Sequence, residues 1–288
     1  MNRILIIGAT GNVGRQVLSQ LLAANARIRV LSRNPHAAGW PPQVEVECGD
    51  LTLPETLDGC LEGVDTVFLV WVAPPAAVAP ALQRIARHAR RVVFLSAPLK
   101  TAHPLFQQPN AARALGEKIE SLIEASRLQW TFLRPGMFAA NARAWWGPQI
   151  RSGDIVRWPH LAVPTAPIDE RDIAAVAVRA LCEDGHDRAE YVLTGPESLS
   201  QAEQVATIGR VIGRSLRAEE ISPEEARREL PAVIPAPGVN MLLDAWSAAA
   251  SQPAFVTSTV EEITGKPART FRDWVADNAA AFQSSPSA

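Results

Sequence analysis

The sequence predicts an α/β protein: a Rossmann-type, doubly wound parallel sheet with a smaller C-terminal lobe. Three observations carry that reading. Short β-rich runs alternate with helical stripes through the first two-thirds of the chain, the pattern of strands joined by crossover helices. Several of the runs are continuously apolar, Ile4-Leu5-Ile6-Ile7 and Val67-Phe68-Leu69-Val70 among them, as strands covered on both faces must be. The first run ends in a glycine loop, Gly8-Ala9-Thr10-Gly11-Asn12-Val13-Gly14, that opens the first helical stripe.

In chain order, strands are predicted over residues 3–7, 28–32, 44–47, 66–72, 91–96 and 130–133. Between them, Val17, Leu18, Leu21 and Leu22 form one helical stripe and Leu115, Ile119, Leu122 and Ile123 another. A further helix opens near Asp169 and puts Ile173, Val176, Ala177, Ala180 and Leu181 on one face. Asp169, Arg171 and Asp172 read there as its cap and first-turn charges. Ser200 and Glu203 have capping-box spacing and start a helix through Val205, Ile208 and Ile212. After Arg134 the pattern loosens: Pro135-Gly136, Gly147-Pro148, Trp158-Pro159, Pro164 and Pro167 interrupt it, and residues 231–238 hold three prolines. The expected organisation is a nucleotide-binding unit over residues 1–135, with 168–194 returning to the sheet. Residues 136–167 and 195–288 form the substrate lobe, and residues 283–288 a frayed tail.

Composition excludes several classes. Of 288 residues, 47% are apolar and 20% charged, and 28 basic residues against 30 acidic ones leave a net charge of −2. That balance shows no basic stripe for nucleic acid. Four apolar residues before Gly8 are too few for a secretory signal or a membrane span, so a cytoplasmic, membrane-free protein is expected. Cys48, Cys60 and Cys182 and the five histidines lack metal-ligand spacing, so no metal ligand is assigned.

The glycine loop is the strongest chemical signal. Glycine permits the tight turn, the close approach of a pyrophosphate and close helix–strand packing, while the helix N-terminus holds the phosphates. Gly8, Thr10, Gly11, Asn12, Val13 and Gly14 are therefore dinucleotide-binding candidates. After the second strand, where an acid would bind the ribose hydroxyls of NAD, the chain reads Ser32-Arg33-Asn34-Pro35. Arg33 suits a 2′-phosphate, and NADPH is preferred over NADH.

With Arg33 and the glycine loop, Gly49-Asp50-Leu51, the stretch from Trp130 through Leu133-Arg134-Pro135-Gly136-Met137-Phe138, and Ile168 to Ile173 form an ordered set of motifs. Tyr191-Val192-Leu193-Thr194-Gly195-Pro196-Glu197 and the segment from Thr264 to Phe271 with Trp274 complete it. Together they resemble, over essentially the full length, the NmrA-like atypical short-chain dehydrogenases. The resemblance implies Asp50 and Leu51 beside an adenine, Val70, Trp71 and Val72 along the cofactor, and Pro135, Gly136, Met137 and Phe138 bordering the nicotinamide. Members of that family reduce quinones, azo dyes and triphenylmethane dyes, and others bind NADP without turnover.

The catalytic pattern of active short-chain dehydrogenases, Tyr-x-x-x-Lys on one helix face, is broken. Lys118 takes the lysine place, but Ala114 stands four residues earlier, and Tyr191 is the only tyrosine. Ser96 joins the cofactor set at the end of the fifth strand, followed by Ala97-Pro98 instead of the usual catalytic serine. Lys118 is the remaining catalytic candidate, as a general acid or as a ligand of the nicotinamide ribose. His103 and His160 are weaker proton-donor candidates. Trp71, Phe138, Trp145, Trp146 and Trp158 form the expected aromatic wall of a substrate pocket.

These features point to an NADPH-dependent reductase of a conjugated or aromatic small molecule. The alternatives are a redox sensor that binds a protein partner, and a lyase or isomerase using NADP structurally. The sequence leaves monomer and homodimer open.

Overall fold

The computed structural model describes residues 3–36 and 39–283; of the expected frayed tail, residues 284–288 lie outside the described residues. The elements in order are β1 (Arg3–Ile7), α1 (Asn12–Ala23), β2 (Arg27–Ser32), β3 (Val44–Cys48), α2 (Leu57–Leu61), β4 (Thr66–Val70), α3 (Val78–His88), β5 (Arg91–Leu95), α4 (Ala111–Glu124) and β6 (Gln129–Pro135). There follow α5 (Asn141–Trp145), α6 (Gly147–Ser152), β7 (Ile155–Trp158), β8 (Pro164–Thr165), α7 (Glu170–Cys182), β9 (Ala189–Leu193), β10 (Leu199–Ser200) and α8 (Gln201–Ile212). The chain closes with β11 (Arg217–Glu220), α9 (Pro223–Glu229), α10 (Ala236–Ala249), α11 (Thr259–Thr264) and α12 (Phe271–Asp277).

Seven strands form one sheet in the order β3-β2-β1-β4-β5-β6-β9, and every pairing in it is parallel. Side chains alternate between its faces. Ile4, Ile6 and Phe68 pack with α1 and α7 on one side, while Leu5, Ile7, Val67 and Leu69 pack with α2, α3 and α4 on the other. That two-sided burial explains the continuous apolar runs of the sequence. The strand order reverses between β1 and β4, the switch point at which a crevice opens beyond the carboxyl ends of the strands. Pairing stops at Val70 opposite Leu95, so Trp71, Val72 and Ser96, expected inside strands, stand just past the ladder.

The third core belongs to the C-terminal lobe and gathers α5, α6, α8, α9, α10 and α12 around Trp146, Trp158, Trp246 and Trp274. Ser200 and Glu203 form the capping box read from the sequence. Two more, Ser222 with Glu225 and Thr270 with Asp273, open α9 and α12. Among the described residues no helix is long and apolar enough to cross a membrane.

Candidate functional site

Two cavities lie beyond the carboxyl ends of the sheet. The first, about 430 Å³, is lined by Ile7, Gly8, Ala9 and Thr10 at the end of β1 and beyond it, by Leu31 to Asn34 at the end of β2 and beyond it, by Asp50, Leu51 and Thr52 after β3, and by Val72 and Ala73 after β4. Gly8 sits at φ +92°, and a Cβ on it would lie 2.8 Å from that of Val70. A Cβ on Gly14 would lie 2.1 Å from the Gly8 carbonyl oxygen, so the helix can start this close to the strand only with glycine there. Gly11 is the N-cap of α1, with no side-chain cap and no acidic residue in the first turn. The uncapped turn and its dipole suit a pyrophosphate, and an added side chain would fill the space. Thr10, Gly11 and Asn12 are exposed, whereas Val13 and Gly14 are buried beneath them.

Arg33 is exposed on the wall of this cavity, with Asp50 half-buried on the same wall. The Thr52 backbone N–H donates to Asp50 Oδ1 at 2.8 Å and, with added help from Arg33, holds the carboxyl below its usual range despite partial burial. Asn34, Thr52 and Ala73 were not anticipated; they are loop residues whose only sequence signal is adjacency to Arg33, Asp50 and Val72.

The second cavity, about 380 Å³, opens at the ends of β5 and β6. Ser96 to Leu99, and Pro135, Gly136, Met137, Phe138 and Asn141, supply one side. The loop before α4 (Leu105, Phe106, Gln108, Asn110), the first turn of α4 (Ala112, Arg113) and α10 (Met241, Leu242, Ala245) supply the rest. The motif after β6 and Ser96 thus meet in one place.

Several expectations need correction. Trp146 and Trp158 are 1% and 0% exposed and belong to the lobe core. Trp145 stacks on Trp158 at 5.5 Å, and Trp158 Nε1 donates to Gln201 Oε1 at 2.7 Å. They pack the lobe and do not line the cavity. Trp71 lines neither cavity: its Nε1 donates to the Ala73 carbonyl and its ring packs under the sheet. Phe138 alone of the five aromatic candidates reaches the second cavity.

Lys118 is also displaced. Ile119 and Ile123 turn α4 onto the sheet, and that rotation leaves Lys118 on the exposed side, lining neither cavity. The helix residue that does reach Ser96 is Glu120, whose carboxylate accepts from Ser96 Oγ at 2.6 Å and from Arg134 Nε and Nη2 at 3.0 and 2.7 Å. Glu120 and Arg134 are each 2% exposed. A glutamate beside the buried Ile119 and an arginine within the apolar strand Phe132-Leu133-Arg134-Pro135 were a legible signal of a buried ion pair. Arg134 continues to Glu190, which also binds Lys100 at 3.1 Å.

Neither histidine candidate faces the cavity. His103 Nδ1 accepts from the Leu105 N–H and Nε2 lies 3.0 Å from the Pro253 carbonyl, leaving no free ring nitrogen. His160 packs against Trp246. Tyr191 lies within β9, its hydroxyl 2.8 Å from His186 Nδ1, away from both cavities.

A family model described as NAD(P)H-binding matches residues 8–184. The chain belongs to the NAD(P)H-binding family. This NAD(P)H-binding chain is 38% identical over 284 residues to the (4-alkanoyl-5-oxo-2,5-dihydrofuran-3-yl)methyl phosphate reductase of Streptomyces griseus, covering 97% of this chain and 99% of the relative. It is 35% identical over 292 residues to the NAD(P)H azoreductase of Xenophilus azovorans, covering 97% and 99%. An NADPH-dependent quinone oxidoreductase from Escherichia coli shares the fold at a TM-score of 0.80 and 22% identity, over 96% of this chain and 99% of that one. The match agrees with the NmrA-like atypical short-chain dehydrogenase resemblance, and the family member described here is an NAD(P)H-dependent oxidoreductase.

Proposed function

We propose that this chain is an NADPH-dependent reductase of a conjugated or aromatic small molecule, working without the Tyr-x-x-x-Lys pair. The observation that carries this reading is the wall of the second cavity. Among the described residues it presents no tyrosine, lysine, histidine, aspartate or glutamate.

A bound nicotinamide would supply hydride. Gly8, Thr10, Gly11, Asn12, Val13 and Gly14 would hold the pyrophosphate, Arg33 the 2′-phosphate, and Asp50, Leu51 and Val72 the adenosine. Pro135 to Phe138 and Ser96 would border the reacting end. An ordinary ketone needs a placed acid to protonate the developing alkoxide. A quinone, enone or azo compound instead delocalises the incoming electron pair onto its own oxygen or nitrogen, and water can supply the proton. The chain's part is then to orient a flat acceptor on Met137, Phe138, Phe106 and Leu242 and to exclude most water. The substrate named for the Streptomyces relative, an alkanoyl-substituted oxo-dihydrofuran with a methyl phosphate, is an acceptor of this general kind.

NADPH oxidation followed by absorbance, with quinones, azo and triphenylmethane dyes, enones and imines offered in turn, tests the reading. Turnover of one class upholds it. NADPH binding with no turnover across the panel overturns it and favours a sensor that reads the NADP(H) ratio.

A further inference from the structure

Of the eighteen residues that line the second cavity, Arg113 is the one with a charged side chain. It stands in the first turn of α4, with 22% of its side chain exposed. Its Nη1 donates to the Phe106 carbonyl at 2.9 Å, and its Nε pairs with Glu117 at 2.9 Å. A guanidinium has five N–H donors; Phe106 takes one from Nη1 and Glu117 faces Nε as an ion pair, while the other N–H of Nη1 and both of Nη2 have no partner among the described residues. The other polar groups of the wall are largely committed. Ser96 gives its hydroxyl proton to Glu120, Asn110 caps α4 through the Arg113 N–H, and Gln108 Nε2 bonds the Pro104 carbonyl.

A guanidinium anchored on Phe106, with unpartnered donors, on the wall of a mostly apolar cavity has a defined complement. The fork matches the paired oxygens of a phosphate or carboxylate, and the apolar surroundings strengthen the attraction. The hydrogen bond to the Phe106 carbonyl holds the side chain in place in advance, so less ordering remains to be done on binding. The exposed pair with Glu117 is itself a weak competitor.

We propose that Arg113 determines specificity by binding an anionic substituent of the substrate, so that the natural acceptor is a conjugated molecule carrying a phosphate monoester or a carboxylate. This inference rests on the reductase reading and names the substrate class within it.

The test uses three probes built on one alkanoyl oxo-dihydrofuran, bearing a methyl phosphate, a carboxymethyl group or a neutral hydroxymethyl group. The readout is the ratio of kcat/KM for each anionic probe to that for the neutral one. The wild type is expected to favour an anionic probe about 10- to 150-fold, the value of one charged hydrogen-bonded contact. Whichever anion is favoured identifies the substituent. Arg113→Met brings the ratio toward one, Arg113→Lys keeps part of it, and Glu117→Gln raises it by removing the competing carboxylate. A wild-type ratio near one, or a ratio unchanged in the Met and Gln variants, overturns the proposal. If no probe turns over, calorimetric titration of the NADP-loaded protein with the same three probes separates the two ideas. Anion-selective binding lost in Arg113→Met upholds the anion site while the reductase reading fails; equal binding of all three overturns the site as well.

Discussion

Ser96 Oγ donates a 2.6 Å hydrogen bond to Glu120 Oε1, a carboxylate 2% exposed that also accepts two N–H groups from Arg134. The serine proton is therefore turned toward Glu120 and away from the cavity chemistry, although Ser96 lines that cavity. In that orientation Ser96 is an acceptor there and not an acid, in keeping with a substrate that needs no placed proton donor. The ion pair fixes the orientation, so its integrity reaches the site.

Removing Glu120 leaves the buried Arg134 with only the part-exposed Glu190 to pair with; breaking one side of a buried pair costs up to about 3–5 kcal/mol, whereas replacing both partners with apolar groups is far cheaper. Glu120→Gln should lower the urea midpoint strongly with an unchanged slope. Glu120→Leu combined with Arg134→Met should recover most of the loss. Equal destabilisation by the single and the double variant would show that packing, and not charge pairing, is what the site requires.

The glycine loop separates two effects that a single motif hides. A Cβ on Gly14 lands 2.1 Å from the Gly8 carbonyl oxygen, while one on Gly11 meets only that same atom, at 3.3 Å. Gly14→Ala should therefore cost about 1–3 kcal/mol of stability by overpacking, read as a lower Tm. Gly11→Val should keep Tm within a few degrees and abolish NADPH binding in a calorimetric titration, because the isopropyl group takes the space of the phosphates. NADPH affinity surviving in Gly11→Val would sink the phosphate-loop assignment.

Arg33 is exposed on the first cavity and close enough to Asp50 to act on its charge. A charged hydrogen-bonded contact to the 2′-phosphate contributes about 1.5–3 kcal/mol, or roughly 10- to 150-fold in affinity. Arg33→Ala should raise the Kd for NADPH by that factor and leave NADH within about twofold. Parallel losses for the two cofactors would assign Arg33 to the loop itself.

What the sequence shows, and what it hides, divides along the range of the interactions involved. Ile4 to Ile7, Val67 to Val70 and the glycine loop declare themselves locally, because strand burial and helix starts are set by neighbours in the chain. The cavity wall does not. Met241, Leu242 and Ala245 come from α10, more than a hundred residues after Phe138, and carry no local mark of a ligand. Trp145, Trp146 and Trp158 were misplaced because an aromatic residue in a loop-rich region suits a pocket or a core equally, and Trp246, again distant in sequence, draws them into a core. Lys118 is marked in the sequence only by its position in a motif whose tyrosine is absent; the rotation of α4 set by Ile119 and Ile123 leaves it exposed and presents Glu120 to the sheet.

The lobe joint carries a pH dependence of its own. At the N-terminus of α7, Asp169 accepts from the Arg171 N–H and pairs with Arg269 Nε at 2.8 Å, and Asp172 Oδ2 accepts the Arg269 backbone N–H at 2.8 Å. Burial, opposed by the Arg269 N–H and reinforced by the charge of Asp169, pushes the Asp172 carboxyl up from 3.8 to about 6. A carboxyl whose pKa is higher in the folded state binds its proton more tightly there than in the unfolded chain. Its contribution is therefore fully present below pH 4, falls as pH rises to about 6, and is flat beyond. Across that interval it amounts to roughly 2–3 kcal/mol, since one pKa unit is about 1.4 kcal/mol. Asp172→Asn keeps an oxygen for the Arg269 N–H and removes the titration. Its Tm should exceed that of the wild type above pH 6, and the difference should shrink toward zero as pH is lowered to 4. A Tm difference constant with pH would show that Asp172 stays ionised throughout and that its tie to Arg269 outweighs its burial.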